Sequence, residues 1–139
     1  MVDYELIDHT ADIGMRVWGE DLKSLFIRSA EAMFDIIAEK PKLSKDIKKR
    51  KFNVNLSAKN TKELFVRWIS ELLSLSDSKD VFFTDFSIVS LTETSLNSSV
   101  LGIPQRHIIG KREIKAVTYH DLKIGREGNQ YKAEVIFDV

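Results

Sequence analysis

The chain of 139 residues is 43% hydrophobic, has no cysteine and sets 21 Lys and Arg against 21 Asp and Glu. That length and apolar fraction suit a single domain over residues 1–139 with a core of its own, while zero net charge argues against a general polyelectrolyte binder. The missing thiols exclude disulfide scaffolds, thiolate zinc sites, iron–sulfur clusters and cysteine nucleophiles, so any metal must use oxygen or imidazole ligands.

Residues 2–7 (VDYELI) and 13–18 (IGMRVW) carry the β-branched and aromatic content of strands, with DHTAD as a short polar connection. From Asp21, a plausible N-cap by type, Leu22, Leu25, Phe26, Ala30, Met33, Phe34 and Ile37 recur at helical spacing, and Pro41 supplies a stop. Phe52–Leu56 alternates as a strand. Asn60-Thr61-Lys62-Glu63 then has the form of a capping box, opening a helix that buries Leu64, Phe65, Trp68, Ile69, Leu72 and Leu73. Ser74–Asp80 reads as a loop. Val81–Leu91, Leu96–Ile103, Ile114–Ile124 and Tyr131–Val139 read as strands, the last two joined into a hairpin by Gly125-Arg126-Glu127-Gly128-Asn129. The expected fold is α+β, a two-layer domain with two helices packed on one face of a largely antiparallel sheet.

Charge is segregated along the chain: net −6 over 1–39, +8 over 40–62, −4 over 63–100 and +2 over 101–139. The basic block, Lys40, Lys42, Lys45, Lys48, Lys49, Arg50 and Lys51, has the density to meet phosphate or an acidic protein. A solvated connection into an edge strand is the reading the residues favour, since no aromatic precedes Phe52 to stack on bases. No apolar run approaches the roughly 20 residues that cross a bilayer, and MVDYELIDH lacks a basic start and an apolar core, so a cytoplasmic protein without a membrane span is expected.

Asp8-His9-Thr10-Ala11-Asp12 is the densest polar cluster. Its carboxylates suit a hard cation, and loops are also where Asp caps backbone amides through Asx-turns. Asp138 is an acid in an apolar strand, followed by Val139; with the Val139 carboxylate it completes an oxygen cage with Asp8 or Asp12 if the last strand lies beside the first, or it merely reaches solvent. Lys115 in KAVTYH suits a phosphate or acidic partner, or a structural ion pair. No phosphate-binding glycine loop, G-x-S-x-G or H-E-x-x-H is present.

DHTADIG at 8–14, WGEDLKSLF at 18–26, ELFVRWISELL at 63–73, KAVTYHDL at 115–122 and the final FDV resemble the archease family nearly end to end, least so between 91 and 111. The resemblance implies a small α+β fold and a protein cofactor of the RtcB-type RNA ligase, which seals tRNA exon halves bearing 2′,3′-cyclic phosphate or 3′-phosphate ends. It implies that the cofactor is not itself an enzyme, and that it promotes GTP-dependent guanylylation of the ligase histidine and repeated turnover. By motif, Asp12, Asp138 and Val139 are the implied ligands of a divalent metal, calcium favoured by an all-oxygen set, with magnesium or manganese as alternatives. Lys115 is implied to act with those acids in activating the ligase, and Asp8 and His9 to shape the loop. Two other readings compete: a chaperone-like modulator of tRNA-modifying enzymes, and a metal-dependent phosphoesterase built on the same carboxylates. Oligomeric state, the ligase-docking surface and direct RNA contact are open at this level.

Overall fold

A hairpin begins the chain: β1 (Tyr4–His9) runs antiparallel to β2 (Asp12–Gly19), with His9 paired to Asp12. The computed structural model describes residues 3–9, 12–39, 44 and 46–139, with the side chains of Asp8 and His9 outside that description. The polar connection expected over 8–12 is therefore mostly strand, because the backbone ladder of the hairpin extends through Asp8 and His9. Helix α1 (Leu22–Ile37) follows, its first turn capped by Asp21, whose Oδ1 accepts from the Ser24 amide at 2.7 Å. That bond holds the Asp21 carboxyl below its usual range. The helix stops at Ile37; Pro41, the expected stop, lies outside the described residues.

Strand β3 (Arg50–Ser57) leads to α2 (Thr61–Ser78), where Asn60 caps by accepting from the Glu63 amide at 2.9 Å and Glu63 pairs with Arg67 one turn on. The loop expected at Ser74–Asp80 is a correction: the helix continues to Ser78. Tertiary contact overrides the weak helix preference of serine here, since Ser76 is buried, its hydroxyl donates to the Val81 carbonyl and its own carbonyl accepts from Gln105 Nε2. Asp80, at φ 56°, then turns the chain into β4 (Val81–Leu91).

β4 pairs with β5 (Ser95–Pro104), and β3 lies on β5's other side, making a three-stranded antiparallel sheet. The basic residues Arg50 and Lys51 thus open an edge strand, while Lys40, Lys42 and Lys45 lie outside the described residues. The single strand expected over Ile114–Ile124 is a second correction. It is broken into β6 (Ala116–Val117) and β7 (Lys123–Glu127), which pair one after the other along the same strand, β8 (Gln130–Asp138). The break is a turn in which the Leu122 amide bonds to the Tyr119 carbonyl and Asp121 takes φ 52°. Gly128, at φ 62°, makes the tight turn between β7 and β8.

The strands form two antiparallel sheets, the larger ordered β1-β2-β8-β6 with β7 also on β8. Helix α1 packs on β2, β8 and β4, and α2 on β3, β4 and β6, so both helices bridge the inner faces of the two sheets. One apolar core results, in which Trp68, Phe26, Phe34, Phe65, Phe83 and Phe137 are fully buried. No helix among the described residues is long and apolar enough to cross a membrane.

Candidate functional site

Burial alternates along the two central strands of the larger sheet. Ile13, Met15 and Val17 of β2 and Ala133, Val135 and Phe137 of β8 face the core, which leaves Asp12, Arg16, Glu134 and Asp138 on the opposite face. The β2–β8 register ends on Ile13 opposite Phe137, and one residue further it sets Asp12 opposite Asp138. His9 pairs with Asp12 on the other side, and Ala116 of β6 with Asp138. One rung thus runs His9, Asp12, Asp138, Ala116 across four strands. Opposite residues in such a ladder stand about 4.5–5.5 Å apart at Cα. Lys115 joins through its backbone, its amide donating to the Asp138 carbonyl at 2.8 Å, and the β6–β8 register continued sets it opposite Val139.

The last strand therefore lies beside β2 and not beside β1, and it is Asp12 that meets Asp138; the Asp8 backbone pairs one rung inward, with Ile13. Asp138 and Lys115 are exposed, and Asp12 and Val139 half-buried. Like charges directly opposite one another in a sheet repel, and a divalent cation placed between them turns that repulsion into shared attraction. Among the described residues no group of three or more His, Cys, Asp or Glu side chains is set to hold a metal, so a cation here would draw on two side-chain carboxylates, oxygen atoms of Val139 and water. Such a hard, all-oxygen donor set fits calcium or magnesium in kind.

Gly14 is a residue the motif reading passed over. It lies two pairs inside the acidic rung, where a Cβ would come within 2.7 Å of Ile136 Cδ1 and 2.8 Å of the Val135 carbonyl oxygen. A glycine within an apolar strand signals such close approach, so the sequence did carry the clue. Two pairs further in, Arg16 bonds Glu5 at 2.7 Å and Glu134 at 2.8 Å, tying β1, β2 and β8 together. The Arg16 hydrogen bond holds the Glu134 carboxyl below its usual 4.5, with Lys123 and Lys132 adding to the effect. The sign follows: this contribution is complete above the unfolded value and is lost as pH falls through the lower folded one. Glu134→Gln is therefore expected to lower the urea midpoint at neutral pH, by an amount that shrinks as the pH falls below the usual glutamate value. A gap that stays constant as the pH falls would contradict it.

The other face of the same sheet end borders a groove of about 560 Å³ between α2 and residues 113–117, where Lys115 is one of the lining residues. Lys115 thus belongs to both features, its backbone to the acidic rung and its position to the groove.

This two-helix antiparallel fold, with acids gathered at a sheet end, has close counterparts. Residues 4–139 match the Archease protein family (MTH1598/TM1083). A protein archease of Methanosarcina barkeri is 33% identical over 142 residues, spanning 98% of this chain and 95% of its own length. Another, from Sulfurisphaera tokodaii, is 31% identical over 143 residues and the whole of both chains. The solution structure of protein 1598 of Methanobacterium thermoautotrophicum superposes with a TM-score of 0.72 at 26% identity over 98% of each chain. The crystal structure of TM1083 from Thermotoga maritima, described as an archease and possible chaperone, does so with a TM-score of 0.64 at 26% identity, covering 96% of this chain and 94% of that one. The chain belongs to the archease family.

Proposed function

We propose that this protein is a non-catalytic activator of an RtcB-type RNA ligase, promoting its GTP-dependent guanylylation and repeated turnover in tRNA splicing. The observation that carries the reading is the rung of Asp12 and Asp138, with Val139 and Lys115 adjoining it. Motifs separated by most of the chain's length meet there, which supports a site selected as a unit. Asp12, Asp138 and Val139 would hold a divalent cation, calcium by preference. Bound there, the cation would supply a fixed positive charge at the sheet end, and the ammonium of Lys115 would add a second cationic group for an anionic partner. The description of the Thermotoga protein as a possible chaperone agrees with action on another protein.

The test is a ligation assay with purified ligase, GTP and excess RNA ends. Adding this protein converts a single round of sealing into many. Sealing that stays at one round per ligase in its presence would sink the proposal, and RNA cleavage by the isolated protein with divalent ions would favour a phosphoesterase instead.

A further inference from the structure

The groove beside the acidic rung has a definite construction. Its helical wall is one face of α2, with Ser70, Leu73, Ser74 and Asp77 at spacings of three and four. Its other wall is the segment 113–117, which contributes Glu113 and Lys115. The volume, about 560 Å³, lies within the roughly 300–1,000 Å³ of ligand-sized pockets. Apolar side chains from Leu73 and Val117 alternate with polar ones, so the lining suits neither a lipid nor a bare ion.

Two further observations specify the occupant. First, β6 is the last strand in the order β1-β2-β8-β6, so among the described residues no strand pairs with its outer edge, and that edge borders the groove. Unpaired backbone groups along a strand edge are a template for an added strand, which supplies main-chain hydrogen bonds while alternate side chains fill pockets. Second, among the described residues the side chains of Asp77, Glu113 and Lys115 have no hydrogen-bond or ion-pair partner, whereas Arg16, Lys49 and Lys132 are each ion-paired. Two unpaired carboxylates on facing walls match a basic side chain entering between them.

The geometry points to this groove as the seat of an extended segment of the partner enzyme, added as a strand to the outer edge of β6, with a basic side chain between Asp77 and Glu113 and an apolar neighbour against Leu73 and Val117. The inference rests on the reading of the protein as a ligase activator, and it names the surface through which the partner is held while the acidic rung acts.

Ser74 is exposed and lines the groove, whereas Asp12 and Asp138 do not, so Ser74→Trp fills the groove while leaving the acidic rung unaltered. In sedimentation and titration against the purified ligase, Ser74→Trp weakens the complex at least about tenfold while calcium affinity is unchanged. In the wild-type complex, amide exchange at residues 115–117 slows. The double charge reversal Asp77→Lys with Glu113→Lys, at two exposed positions, gives the same loss and carries the test if circular dichroism shows Ser74→Trp misfolded. Wild-type affinity in a folded Ser74→Trp variant overturns the groove proposal and leaves the activator reading standing. Unchanged exchange at 115–117 in the complex overturns strand addition. A Ser74→Trp change that turns a dimer of this protein into a monomer, with ligase binding intact, assigns the groove to a second copy and overturns the proposal. Wild-type protein that neither binds nor stimulates the ligase removes both readings together.

Discussion

Asp12→Ala and Asp138→Ala each abolish stimulation of the ligase and lower calcium affinity at least about tenfold, while leaving the far-ultraviolet spectrum of the fold unchanged. The expectation follows from the register that sets the two acids opposite each other at the sheet end, on the face away from the helices. A cation held by few protein groups loses a large share of its coordination with either one. Stability separates this role from a structural one. Asp138 is exposed, and Asp138→Asn removes one of two like charges set opposite each other, so the metal-free variant is expected to be as stable as wild type or slightly more so. A purely structural acid would show the reverse. Full ligase stimulation by both alanine variants would exclude the rung from activation.

The largest loss of stability is expected from Trp68→Ala, about 3–5 kcal/mol. Trp68 is fully buried, packs edge-on to Phe86 with ring centroids 6.4 Å apart and donates its indole N–H to the Phe26 carbonyl at 2.9 Å. Phe26 in turn meets Phe65 edge-on at 5.2 Å. One side chain thus ties α2 to α1 and to β4. Against a net stability of roughly 5–15 kcal/mol for an ordinary domain, the loss leaves the protein marginal. Urea unfolding followed by circular dichroism measures it without relying on the removed fluorophore. A change below about 1 kcal/mol would show that the helices repack freely around the gap.

The periodicity of α1 and most of α2 was readable because each buries one face, and the caps at Asp21 and Asn60 were readable because their chemistry is local. The last turns of α2 were not, since Ser76 owes its helical place to bonds with Val81 and Gln105, and no local pattern announces a distant partner. Likewise the break between β6 and β7 depends on a left-handed Asp121 and on β8 having room for two short partners in succession. The division into two sheets is a matter of long-range pairing, invisible to alternation alone. Of the candidate site, the acids Asp12 and Asp138 were legible as motif residues, and their meeting was conditional on where the final strand lay. The groove was not legible: Asp77 fell in a segment read as a loop, and Glu113 had no motif around it.

The position of β8 in the larger sheet has a consequence for how the molecule comes into being. It is synthesised after the other seven described strands, yet it is the one against which β2, β6 and β7 are all laid. Until it emerges from the ribosome, β2 has only its hairpin partner and an uncovered edge, the kind of surface that recruits other nascent chains. Sheet closure must then span more than a hundred residues of chain, a slow event by the dependence of folding rate on sequence separation. The same step delivers Asp138 to Asp12, so the acidic rung is complete only once the last strand is in place.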